Sequence, residues 1–114
     1  MDEFALNKLL LERFPELGEQ FGEYTSWQDG MATGCFLTYE DLLLPLALQA
    51  IDCGDEAFLQ CLGGFVEELM TSGDELAVNV STVGLIEGLK AHGNERVQSF
   101  LGPNSLREYD GLSY

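Results

Sequence analysis

Apolar residues recur at helical spacing along most of the chain. Phe58, Leu62, Phe65 and Leu69 fall at steps of four, three and four, with Leu59, Val66 and Met70 running beside them. At 3.6 residues per turn such a set forms one stripe, the face that a helix buries. Leu76, Val80 and Val83 make the next row, widened by Val78, Leu85, Ile86 and Leu89. Val97, Phe100 and Leu101 continue in a shorter helix, stopped by Gly102-Pro103. Upstream, Phe4, Leu6, Leu9, Leu10 and Leu11 predict a first helix over about residues 2–14. Pro15 suits the first position of a second helix, about 15–24, where its missing N–H has no helical partner to lose. No stretch shows the strong period-two alternation of a strand. The main core is therefore expected to comprise Phe58, Leu62, Phe65, Leu69, Val80, Val83, Leu85, Ile86 and Leu89.

A tripeptide punctuates these stripes. Gly54-Asp55-Glu56, Gly73-Asp74-Glu75 and Gly93-Asn94-Glu95 stand 19 and 20 residues apart. Glycine is the favoured residue where a helix ends in a left-handed turn. Asp and Asn start helices well, because the side-chain oxygen accepts an otherwise unpaired backbone N–H. A glutamate in the first turn also suits the helix dipole. Each tripeptide thus reads as stop, cap and start. The periodicity extends to Glu67 and Glu87, which occupy matching positions. Gly63, Gly64, Gly84 and Gly88 lie within helical patterns and are expected to let a neighbouring helix approach closely.

The stretch 28–36 is rich in glycine and reads as one longer loop. Thr38 and Asp41 after it resemble a capping box, with Asp in place of the usual Glu. Pro45 leaves two readings open: a helix kinked at the proline, or a separate turn over 38–44 followed by a helix over 45–53. The fold class expected is all-α with about five to six helices. Tightly joined helices give either a small right-handed array of antiparallel pairs, armadillo- or HEAT-like, or a compact bundle. A single domain spans 1–114, with a repeat-like core over 38–103 and a tail over 104–114.

Charge narrows the function. The chain has 114 residues, with 20 acidic and 5 basic, a formal net charge of −15. Such a balance repels nucleic-acid phosphates and anionic membranes, so neither is an expected direct partner. It attracts cations and basic protein surfaces and speeds encounter with them. The acidic N-terminus lacks the basic start and apolar stretch of a signal peptide. The longest apolar run, 42–48, is too short to span a bilayer. A cytoplasmic protein is expected, with Cys35, Cys53 and Cys61 as free thiols.

Catalytic chemistry finds few candidates. The lone histidine, His92, sits at a helix end, where it can favour the dipole. No phosphate loop or calcium-loop spacing is present, and the cysteines lack zinc-ligand spacing. No catalytic residue, metal site or cofactor is expected, and no enzymatic activity. Carboxylates not needed for capping are instead candidate partner contacts: Glu40, Asp41, Glu67, Glu68 and Glu87, with Asp29 in the loop. Trp27 and Tyr109 are candidate aromatic anchors, since such residues are enriched at binding hot spots.

From Tyr39-Glu40-Asp41-Leu42-Leu43-Leu44-Pro45, through Phe65-Val66-Glu67-Glu68-Leu69, Asn79 and Leu85-Ile86-Glu87-Gly88-Leu89, to Leu101-Gly102-Pro103, the chain resembles small acidic helical immunity proteins. These belong to bacterial contact-dependent growth inhibition and related polymorphic-toxin systems. The resemblance covers about 38–103. It implies a cytoplasmic protein that binds and blocks one cognate toxin, often a basic nuclease. It carries over no catalytic residue and no contact residue. The alternative is an acidic helical adaptor for a basic or helical protein partner.

Overall fold

The computed structural model describes residues 2–25, 34–93 and 95–112. Helix α1 (Glu3–Arg13) starts where the Asp2 carboxylate accepts the Ala5 amide at 2.9 Å. Pro15 opens a 3-10 turn (Pro15–Leu17) that runs straight into α2 (Gly18–Thr25). Helix α3 is one continuous run, 35–53. It comprises α-helical Cys35–Thr38, a π-helical turn Tyr39–Leu43, and α-helical Leu44–Cys53. Helix α4 is Glu56–Met70. Helix α5 is the run 75–92, again with a π turn inside it: Glu75–Ser81, Thr82–Ile86 and Glu87–His92. Helix α6 is Val97–Phe100 and α7 is Pro103–Gly111. No strand occurs among the described residues.

The first tripeptide works as read, and the second starts its helix as read but does not end the one before it. Gly54 and Gly73 both take φ of 74°; Gly54 caps α3 in this left-handed conformation, whereas α4 ends at Met70 with Thr71 as its C-cap and Gly73 turns the chain two residues later. The Asp55 carboxylate then accepts the Phe58 amide at 3.1 Å, and that of Asp74 accepts the Leu76 amide at 3.3 Å. Asp55→Ala should lower stability by about 1 kcal/mol, read by chemical denaturation, and Asp74→Ala should lower it in the same direction. A loss near zero would show that these caps are redundant. The third tripeptide behaves differently. Gly93 ends α5 but is extended, at φ −83° and ψ −169°. What requires glycine there is space, since a Cβ would lie 2.5 Å from the Leu89 carbonyl oxygen and 2.7 Å from a Val97 methyl. Asn94 lies outside the described residues, and the next helix starts at Val97 with Arg96 in the N-cap position.

The region around Pro45 corrects several expectations. The loop read over 28–36 lies mostly outside the described residues, and its last two residues already belong to α3. Thr38 starts no helix and forms no capping box. It is buried in mid-helix, where its hydroxyl donates to Asn7 Oδ1 at 2.5 Å. Pro45 opens no separate helix either. The π turn ends at Leu43, two residues before it, with the Leu44 N–H bonded to the Tyr39 carbonyl five residues back. A wider turn there relieves the crowding of the proline ring against the preceding turn, so the helical run continues.

The core holds Leu62, Phe65, Leu69, Val80, Leu85, Ile86 and Leu89 as expected, and α1 adds Leu6 and Leu10. Phe58 is half-buried, its ring 5.4 Å from that of Phe14. Val83 is the exception, 48% exposed. The π turn of α5 winds more residues per turn than the helical period assumes, and places Gly84, not Val83, on the buried row.

Helices α3, α4 and α5 each touch the other two; α1 packs on α3, and α6 and α7 pack on α4. Contacts between elements distant in sequence distinguish this bundle from a linear array, in which each repeat meets only its neighbours. The radius of gyration, 13.2 Å, equals the ~13 Å expected of a compact chain of this length. Glycines bring the helices together. A Cβ on Gly63 would overlap the Phe100 carbonyl oxygen, one on Gly88 would overlap Leu44, and one on Gly84 would lie 3.3 Å from Tyr39 Cβ. Gly64, by contrast, faces open space and serves no close approach. The segment read as a tail is largely helix α7, started by Pro103 at its first position.

Candidate functional site

The acidic residues divide by what each carboxylate already holds. Glu67 caps a helix other than its own. Its oxygens accept from the Asn104 amide at 3.2 Å, Asn104 Nδ2 at 2.7 Å, and the amide and hydroxyl of Ser105, both at 2.9 Å. Helix α7 has Gly102 at its N-cap, with no side chain to offer, and Glu67 of α4 supplies what is missing. Burial is the largest single influence on the Glu67 carboxyl and opposes ionisation. The hydrogen bonds from Asn104 and Ser105 together outweigh it and hold the pKa below the ordinary 4.5. A depressed carboxyl stabilises the fold fully above its unfolded-state pKa. That contribution is lost as pH falls through the lower folded-state value. Glu67 therefore fails the criterion of a carboxylate not needed for capping.

Glu68 pairs with Arg13, two oxygens facing two guanidinium nitrogens at 2.5 and 2.8 Å, and so links α4 to α1. The pair is exposed, and exposed pairs contribute little to stability. Tyr109 is half-buried. The Lys90 ammonium sits 4.8 Å from its ring centroid and donates to its carbonyl oxygen at 2.7 Å. Glu87 is half-buried on α5, so Glu67 and Glu87 do not form one open ridge. Trp27 and Asp29 lie outside the described residues.

Glu40 and Asp41 remain, both exposed on the π turn of α3. The Tyr24 hydroxyl of α2 donates to Asp41 Oδ2 at 2.6 Å. That hydrogen bond leads the influences that push the Tyr24 pKa up to about 12; burial and the charges of Asp41 and Glu40 add to it. Between α2 and α3 lies a shallow groove of about 450 Å³, lined by Gln20, Glu23, Tyr24, Asp41 and Leu42. The sequence pointed to Asp41 but not to Gln20 or Glu23, which reach the groove only because α2 packs beside the π turn. A groove with the Glu23 and Asp41 carboxylates in its lining suits a lysine or arginine side chain.

A second, smaller pocket of about 220 Å³ lies between α3 and α4, lined by Leu46, Gln49, Ala50, Cys53, Asp55 and Phe58. Cys53 and Cys61 are exposed free thiols. Cys35 is a buried one, its pKa pushed up to about 11 by burial first and by the Glu3 charge second. Among the described residues no three metal-ligating side chains converge. No described helix is long and apolar enough to cross a membrane.

No curated protein and no solved structure matches the chain. A family model for a domain of unknown function, DUF7674, matches residues 7–114, and on that match the chain belongs to the DUF7674 family.

Proposed function

We propose that this protein is a cytoplasmic immunity protein without catalytic activity, which binds a cognate basic toxin and occludes its active site. A nuclease is the toxin class that the charge favours, because a cleft built for phosphates presents positive charge to a polyanion. The observation that carries the reading is the net charge of −15, on a fold that already occupies several of its few cations. Arg13 faces Glu68, Arg96 lies 3.6 Å from Glu56, and Lys90 holds Tyr109. The acidic surface is thus largely uncompensated. Its best-placed part is the α2–α3 groove, where Asp41 lines the wall and exposed Glu40 precedes it on the π turn. Trp27 and Asp29 remain part of the proposed contact set, as does Glu87.

The test is a pull-down from cells with the tagged chain, using as prey the product of the neighbouring gene, followed by a toxicity-rescue assay. Capture with rescue is the expected result. Capture without rescue would make the protein an acidic adaptor for a basic partner, and no capture would overturn the immunity reading.

A further inference from the structure

We propose that α7 is a charge-clamped arm that opens as a unit while the rest of the bundle stays folded. Both of its ends are held by side chains of other helices. At its N-terminus the Glu67 carboxylate of α4 takes the amides of Asn104 and Ser105. In its last turns the Lys90 ammonium of α5 takes the Tyr109 carbonyl oxygen. The signs match the helix dipole at each end, a negative group at the amide end and a positive one at the carbonyl end.

Between the clamps the apolar anchorage is partial, with Leu106 and Tyr109 packed against the edge of the core. The fully buried residue of α7 is Ser105, which is polar, and Leu106 and Tyr109 are only partly buried. Helix α4, by contrast, buries Leu59, Leu62, Phe65, Val66 and Leu69. Segments with few buried apolar contacts open at lower free energy than the core, and here polar clamps replace such contacts. Leu101 and Gly102 are extended and join α7 to the core by a short non-helical link. Gly102 is itself fixed by the clamp, since a Cβ there would lie 2.7 Å from the Glu67 carboxyl carbon. The clamp and its glycine act as one device.

Hydrogen exchange on the full chain, followed by mass spectrometry, tests this. In the unmodified protein, amides of residues 106–111 should exchange faster than those in the middle of α4. Glu67→Gln removes the charge and one acceptor, and should speed exchange of 106–111 by roughly tenfold or more, the effect of losing a charge-assisted hydrogen bond. Lys90→Met should act on the same amides more weakly. Both variants should leave α4 exchange unchanged. If either variant speeds all helices alike, α7 belongs to the cooperative core and the proposal falls. It falls equally if α7 is as protected as α4 in the unmodified protein, or if Glu67→Gln does not fold.

Discussion

Phe65→Ala should lower the stability of the protein by about 3–5 kcal/mol, the range for emptying a buried phenylalanine site. Phe65 is 1% exposed on the inner face of α4. Its ring meets Phe14 edge-on, centroids 5.3 Å apart, and stacks at 6.0 Å on Tyr39. Tyr39 in turn donates its hydroxyl to the Leu6 carbonyl at 2.8 Å. The one side chain therefore joins the end of α1, the π turn of α3 and the middle of α4. Aromatic pairs of this geometry add to the simple burial of area. Deleting the ring leaves a cavity that three helices would have to close together, and the Tyr39 hydrogen bond resists that collapse. Chemical denaturation should show a lower midpoint with an unchanged slope. A loss under about 1 kcal/mol would mean that Phe65 is not central to the core.

Gly63→Ala and Gly64→Ala should have opposite effects, although the residues are adjacent on one helix. Alanine favours a helix interior over glycine by about 0.5–1 kcal/mol, and Gly64 faces open space, so Gly64→Ala should stabilise by about that much. A Cβ on Gly63 would instead overlap the Phe100 carbonyl oxygen and lie 2.9 Å from its carbon. Backbone cannot swing aside as a flexible side chain does. Either α6 moves or α4 does, and overpacking of this kind costs about 1–3 kcal/mol or more. The two melting temperatures should bracket that of the unmodified protein. If both substitutions moved stability in the same direction, the close α4–α6 approach would be wrong.

Features fixed by local chemistry were legible in the sequence. Gly54-Asp55 and Gly73-Asp74 need only their own neighbours to turn the chain and start a helix, and both do so. The helical stripe of α4 likewise depends on one regular helix. Features fixed by tertiary contact were not legible. Periodicity at 3.6 residues per turn puts Val83 inside, and the π turn breaks that count where Gly84 meets Tyr39. Thr38 looked like a cap because nothing local announces its buried partner Asn7, 31 residues away.

Glu67 shows the same limit at the candidate surface. An acid on an amphipathic helix reads as solvated, and its four hydrogen bonds come from residues 37 and 38 positions later. One signal did exist: Gly102-Pro103-Asn104 begins a helix whose N-cap residue has no side chain, so a cap from elsewhere is called for. The same sorting gives the candidate surface its present shape. Glu67 is drawn into the fold, Glu68 and Tyr109 are engaged by Arg13 and Lys90, and Glu40 and Asp41 stay exposed beside the α2–α3 groove.

The central claim is that this uncompensated acidic surface is what recognises a basic partner. The most direct measurement is the association rate with the product of the neighbouring gene, the proposed partner, taken at low and high salt. It should be made for the unmodified chain and for Glu40→Lys combined with Asp41→Lys. Exposed charges are screened beyond a Debye length of about 8 Å at physiological ionic strength. The rate for the unmodified chain should therefore fall roughly tenfold or more as salt rises. The double reversal should slow association at low salt and flatten the salt dependence. Rates that are flat across salt, and unchanged by the reversals, would contradict the claim and leave the acidic surface without a role in recognition.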